Sequence, residues 1–217
     1  MFRHNIPWRL LCGCMLWCSM LPLPAATVLV IGDSLSAAHN IPQQQGWVSL
    51  LGEKLQQCCA QWQVVNASIS GETSSGGRSR LPALLQQHEP ELVLLALGAN
   101  DGLRALPVAQ LQENLAAMIE QSRAAGASVV LLGIQIPDNY GPIYQQRFAA
   151  VYEQLAQRYD LSWLPFFLAG VATRSELMQE DGLHPTAAAQ AMILDNVWPL
   201  LQPLLDHTNT APAASRQ

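Results

Sequence analysis

Five short runs that are apolar at nearly every position punctuate the chain. They are Thr27–Gly32 (TVLVIG), Gln63–Ala67 (QVVNA), Leu92–Leu97 (LVLLAL), Val129–Ile134 (VVLLGI) and the weaker Ser162–Phe166 (SWLPF). Runs without polar alternation predict strands covered on both faces, as in a parallel sheet. Helical spacing dominates between them. Leu111, Leu115, Met118, Ile119 and Ser122 form one stripe, and Tyr144, Phe148, Val151, Tyr152, Leu155 and Tyr159 form another. A last helix carries Met192, Ile193, Val197, Leu200 and Leu204, with Thr186 placed to cap it and Pro199 to kink it. Strand–helix alternation of this kind predicts an α/β, doubly wound sheet with helices on both faces. Ligands bind such sheets outside the carboxyl ends of the strands. The glycine-bearing polar segments fall at those ends: Gly32-Asp33-Ser34, Gly71 to Gly77, and Gly98-Ala99-Asn100-Asp101-Gly102.

The N-terminus follows a different pattern. Arg3 and Arg9 flank an apolar stretch from Leu10 to Leu23, which closes on Pro24-Ala25-Ala26. A basic start, an apolar middle and small residues at the end predict a secretory signal peptide over residues 1–26, cleaved near Ala25 or Ala26. The stretch is short for a membrane span, which needs about 20 apolar residues. A periplasmic or secreted protein without a stable membrane anchor is expected. The domain expectation is therefore a signal peptide over 1–26, one catalytic body over 27–206 and a disordered tail over 207–217. Cys12, Cys14 and Cys18 would leave with the signal. Cys58 and Cys59 remain as adjacent, semi-buried thiols, a spacing that rarely permits a disulfide.

Composition narrows the function classes. Half of the 217 residues are hydrophobic and 12% are charged, which fits one packed body. The net charge of −5 becomes −7 once Arg3 and Arg9 leave with a segment that holds no acids. No basic cluster offers a nucleic-acid surface. His39, His88, His184 and His207 are scattered, so no metal site is expected, and no cofactor. The Gly71–Gly77 segment has P-loop glycine spacing but carries Gly77 where the lysine belongs, and no Gly-x-Ser-x-Gly elbow occurs. A small-molecule substrate, acted on by a monomer, is the expectation.

A serine becomes an effective nucleophile when a base accepts its proton. Ser34 lies just beyond the first strand. Asp181-Gly182-Leu183-His184-Pro185 can fold one loop so that the carboxylate meets the far imidazole nitrogen. Gly71 can offer a close backbone N–H and Asn100 a side-chain amide to a developing oxyanion. Each piece alone is ambiguous, because glycine, aspartate and asparagine are also ordinary turn residues. Their order along the chain carries the argument, each standing after a strand or in the final loop. Asp33 and Asp101 are read as acceptors for loop backbone, and Arg78 and Arg80 as a solvated helix start.

The blocks Gly32-Asp33-Ser34-Leu35-Ser36, Ser70-Gly71-Glu72-Thr73, Gly98-Ala99-Asn100-Asp101 and Asp181-Gly182-Leu183-His184-Pro185 together resemble the SGNH (GDSL) hydrolases. Gly102-Leu103-Arg104, Ile136-Pro137-Asp138-Asn139-Tyr140-Gly141 and Leu164-Pro165-Phe166-Phe167 are similar to its periplasmic acyl-CoA thioesterase, lysophospholipase and arylesterase subgroup. The resemblance implies a three-layer α/β/α, flavodoxin-like fold with a five-stranded parallel sheet. It implies Ser34, Asp181 and His184 as catalytic residues and Ser34, Gly71 and Asn100 as the oxyanion hole. Ala99 departs from the second glycine of many relatives. Leu35, Leu103, Leu106, Ile136 and Pro137 are candidates to line an acyl groove. The alternative activity on the same catalytic set is a carbohydrate O-acetyl esterase, and the non-enzymatic alternative, an exported binding protein, predicts loss of catalytic residues that are all present.

Overall fold

The computed structural model describes residues 25–207. Five parallel strands, β1 (Ala26–Gly32), β2 (Trp62–Asn66), β3 (Leu92–Ala96), β4 (Ser128–Leu132) and β5 (Ser162–Leu164), form one sheet in the order β2-β1-β3-β4-β5. Their registers begin at Ala26↔Trp62, Val28↔Leu92, Leu92↔Ser128 and Val130↔Ser162. The five expected strands are all present, with ends displaced by one or two residues. Six helices connect and flank them: α1 (Trp47–Cys58), α2 (Ser74–His88), α3 (Ala99–Leu103), α4 (Val108–Ala124), α5 (Pro142–Tyr159) and α6 (Gln190–His207). Helices α1 and α6 pack together on one side of the sheet, and α2, α4 and α5 pack side by side on the other. The result is the expected three-layer α/β/α arrangement.

The central strands explain their own sequence. Val28, Leu29, Val30 and Ile31 of β1 and Val93 to Ala96 of β3 have no solvent exposure, since helices cover both faces. Burying each such aliphatic side chain contributes about 1.5–3 kcal/mol of transfer free energy. The α4 stripe is buried as expected, joined by Asn114. In α5, Phe148, Val151, Tyr152 and Leu155 are buried while Tyr144 and Tyr159 are half-exposed.

Two expectations about the last helix need correction. Its buried stripe is Ile193, Leu194, Val197, Leu201 and Leu205, so Leu200 and Leu204 flank the core rather than fill it. The helix continues through Pro199 and Pro203, both on its exposed side. Thr186 does not cap it. A 3₁₀ turn at Ala187–Ala189 intervenes, and the Thr186 hydroxyl donates instead to the Leu177 carbonyl at 3.2 Å. Cys58 and Cys59 are free thiols, Cys58 exposed and Cys59 half-buried. Among the described residues no helix is long and apolar enough to cross a membrane. The signal segment and the C-terminal tail fall almost wholly outside the described residues, with Ala26 opening β1 and His207 closing α6.

Candidate active site

Strand order reverses at β1, which lies between β2 and β3. Connections from β1 and β3 leave in opposite directions there and open a crevice beyond the strand ends. Ser34 follows β1 by two residues and Asn100 is the second residue of α3, just after β3, so both stand at this crevice. The chain turns sharply after Gly32, with the Ser36 and Ala37 amides donating to the Asp33 carbonyl at 3.1 and 3.0 Å. Gly98 enters α3 at φ +129°, and a Cβ there would fall 2.1 Å from the Tyr152 hydroxyl. Both the backbone conformation and the close approach require glycine.

His184 reaches the same point from the opposite end of the sequence. Its loop is pinned by an antiparallel bridge between Met178 and Pro185, and by the Gln179 amide donating to the His184 carbonyl at 2.7 Å. Asp181 Oδ1 accepts from the amides of Leu183 and His184 at 2.9 and 3.0 Å, with Gly182 at φ +65° completing the turn. Asp181 Oδ2 is 2.6 Å from His184 Nδ1, and His184 Nε2 is 2.9 Å from Ser34 Oγ. The carboxylate fixes the tautomer: Nδ1–H donates to Asp181, leaving Nε2 to accept from the serine hydroxyl. Partial burial pushes the Asp181 carboxyl up. The hydrogen bonds from His184 and Leu183 outweigh it and hold the group down at about 2. Asp181 is therefore ionised at neutral pH.

The other two strand-end loops interlock. Asn100 Nδ2 donates to the Glu72 carbonyl at 3.0 Å, and Arg104 Nη2 donates to the Gly71 carbonyl at 3.0 Å. Gly71 sits at φ +81°. The backbone amides of Ser34 and Gly71 donate to no acceptor among the described residues. One proton of the Asn100 amide is used by Glu72 and the second is free to serve another acceptor. Ala99, the departure from glycine, lines the crevice with its methyl group and leaves Asn100 in place.

Beneath this surface lie the two acids read as backbone acceptors. Asp33 is fully buried; its Oδ1 accepts from the Leu35 amide at 3.0 Å, while Oδ2 has no partner among the described residues. Burial, reinforced by the nearby Asp101 carboxylate, raises the Asp33 carboxyl to about 7. Asp101 accepts from both the amide and the hydroxyl of Ser74, which in turn accepts from Asn114. Of the two arginines read as a solvated helix start, Arg78 is exposed as expected and Arg80 is half-buried. Arg80 pairs with Glu72 at 2.7 Å and so braces the glycine loop, while Arg78 donates to Asn114 of α4 at 3.2 Å.

A cleft of about 350 Å³ opens beside Ser34, Asn100 and His184. Leu35, Leu103, Ile136 and Pro137 line it as expected. Leu106 does not. It faces a separate groove with Tyr140 and Tyr144, because the Tyr144 hydroxyl holds its carbonyl at 2.9 Å and turns the segment after α3 away. Sequence reasoning missed the far wall, where Phe166, Leu168, Ala172, Met178 and Leu183 complete the lining. Phe166 and Leu183 lie in blocks that carry the family resemblance, and the signal for the others was their position after β5 and ahead of His184. Also unanticipated is His39, whose ring centroid lies 4.2 Å from that of His184. Among the described residues no cluster of three or more potential ligands could hold a metal. A serine oxygen hydrogen-bonded to an oriented imidazole, next to unpaired amide donors and an apolar cleft, is equipped for acyl transfer.

Comparison with known proteins finds relatives over most of the chain. Esterase TesA of Pseudomonas aeruginosa is 52% identical over 197 residues, covering 90% of this chain and 98% of its own length. Thioesterase 1/protease 1/lysophospholipase L1 of Escherichia coli is 44% identical over 183 residues, covering 84% and 86%. A crystal structure of TesA superposes with a TM-score of 0.80 at 53% identity, covering 82% of this chain and 99% of that one. The GDSL-like lipase/acylhydrolase family model matches residues 30–192, nearly the whole of the described body, and the chain belongs to that family.

Proposed function

We propose that the protein is a serine-dependent hydrolase of carboxylic esters and thioesters, working through an acyl-enzyme on Ser34. The observation that carries this reading is the continuous hydrogen-bond chain Asp181–His184–Ser34 at the mouth of an apolar cleft. Ser34 Oγ attacks the acyl carbon while its proton passes to His184 Nε2, and Asp181 stabilises the imidazolium so formed. The amides of Ser34 and Gly71 and the side chain of Asn100 take up the charge on the carbonyl oxygen. His184 then returns the proton to the departing alcohol or thiol. In the second half it accepts a proton from water, which attacks the acyl-enzyme, and then returns that proton to Ser34 Oγ as the ester bond breaks and the carboxylic acid leaves.

The lining by Leu35, Leu103, Ile136 and Pro137 favours an alkyl chain, each buried CH₂ contributing about 0.8 kcal/mol. The esterase, thioesterase and lysophospholipase names of the relatives point the same way. With the basic-then-apolar N-terminal segment, the reading extends to an exported, periplasmic or secreted enzyme. The test is hydrolysis of a p-nitrophenyl ester series from acetate to palmitate by wild type and Ser34→Ala. We expect turnover that Ser34→Ala abolishes and that extends beyond acetate. Turnover surviving in Ser34→Ala refutes the mechanism, and a rate confined to acetate refutes the acyl cleft in favour of an O-acetyl esterase.

A further inference from the structure

His39 has no part in the reaction scheme above, yet its ring is packed directly against the one that does. The centroids of His39 and His184 are 4.2 Å apart with a 37° interplanar angle. At that separation one ring limits the torsional freedom of the other. His39 is half-buried and is not among the residues lining the cleft, so its contact is with the imidazole rather than with the acyl space.

The chain around His39 is built to hold this contact. Its amide donates to the Ser34 carbonyl at 3.4 Å, closing a loop that begins at the nucleophile. The residues on either side, Ala38 and Asn40, both adopt φ of +56°. Left-handed backbone at two non-glycine positions persists only where the surroundings enforce it, and such positions cluster at functional sites. Gln179 supplies the enforcement: its Nε2 donates to the His39 carbonyl at 2.9 Å and to the Pro185 carbonyl at 3.0 Å. One side chain thus ties the loop after Ser34 to the residue after His184. On the remaining side Ser70 Oγ lies 3.4 Å from His39 Nδ1, joining the loop to the segment that carries Gly71.

We propose that His39 is a positioning residue: its ring backs the His184 imidazole and keeps Nε2 in line with Ser34 Oγ. The inference rests on the hydrolase reading of the same site. A base held by Asp181 at one nitrogen can still pivot about that bond, and a packed neighbour restricts the pivot. Misplacing a catalytic group by about 1 Å can cost on the order of 10²-fold in rate. Because His39 does not line the cleft, the loss falls on kcat and leaves KM nearly unchanged.

The experiment compares wild type, His39→Ala and His39→Phe, each checked for folding by thermal melting. It measures steady-state p-nitrophenyl ester hydrolysis and the rate of Ser34 labelling by a fluorophosphonate. We expect His39→Ala to lose about 10- to 100-fold in kcat and in labelling rate, with KM changed by less than about twofold. His39→Phe, which keeps a ring on the imidazole, should recover most of that loss. Should His39→Ala fold poorly, His39→Gln removes the ring while keeping a polar side chain. A His39→Ala enzyme with wild-type kcat, or a His39→Phe enzyme no better than His39→Ala, overturns this inference alone. A wild type that neither hydrolyses esters nor takes the label overturns the hydrolase reading and this inference with it.

Discussion

Asp33→Asn isolates the energetic consequence of placing a carboxyl beneath the nucleophile. Asp33 is fully buried, with one oxygen bonded to the Leu35 amide and the other without a partner among the described residues. Burial first, then the Asp101 carboxylate, raises its carboxyl from the ordinary 3.8 to about 7. In this group the folded state holds a proton that the unfolded chain has already lost. Stability therefore falls as pH rises from about 4 to about 7 and levels off above that. At about 1.4 kcal/mol per pH unit, the shift sets an upper bound of about 4 kcal/mol on the loss. Asparagine keeps the acceptor for Leu35 and removes the titration. Urea unfolding of wild type and variant at pH 4 and pH 8 measures the effect as a difference of differences, so any constant packing cost cancels. The gap should move in favour of Asp33→Asn by about 2–4 kcal/mol between the two pH values. Asp181 does not interfere, because its carboxyl is held down at about 2 and its stabilising contribution is lost only as pH falls through the range below that window. A gap that stays constant from pH 4 to pH 8 refutes the reasoning.

Two further perturbations address the strand ends. Asn100→Ala removes the proposed side-chain donor to the oxyanion and should lower kcat by about 10²–10³ in a folded protein. Stopped ester hydrolysis at saturating substrate measures it, and full activity would remove Asn100 from the oxyanion assignment. Gly98→Ala places a methyl 2.1 Å from the Tyr152 hydroxyl at φ +129°, and Tyr152 is fully buried and bonded to the Leu97 carbonyl. We expect a loss of about 2–4 kcal/mol in the urea midpoint analysis; a neutral effect would mean that Tyr152 can withdraw without cost.

The sequence by itself determined the fold class and the order of the chemistry. Runs such as Val28 to Ile31 and Leu92 to Leu97 have no polar alternation because helices lie on both faces of the sheet, and that signal is local. Ser34, Gly71, Asn100 and His184 were legible because each stands at a strand end or in the final loop, where such a sheet has its crevice. Only the tertiary structure decided what lies against what. Leu103 and Leu106 look alike in the sequence, yet one faces the cleft and the other a neighbouring groove, since the Tyr140 and Tyr144 hydroxyls donate to the carbonyls of Leu103 and Leu106 respectively. The α6 stripe is turned by one residue because α1 and the sheet, rather than helical period alone, choose the buried face. Arg80 finds Glu72, Asp101 finds Ser74, and His39 finds His184 across 145 positions of sequence or fewer. Periodicity reports which side of an element is buried. It carries no information about the partner, because that depends on the relative placement of elements that are distant in the chain.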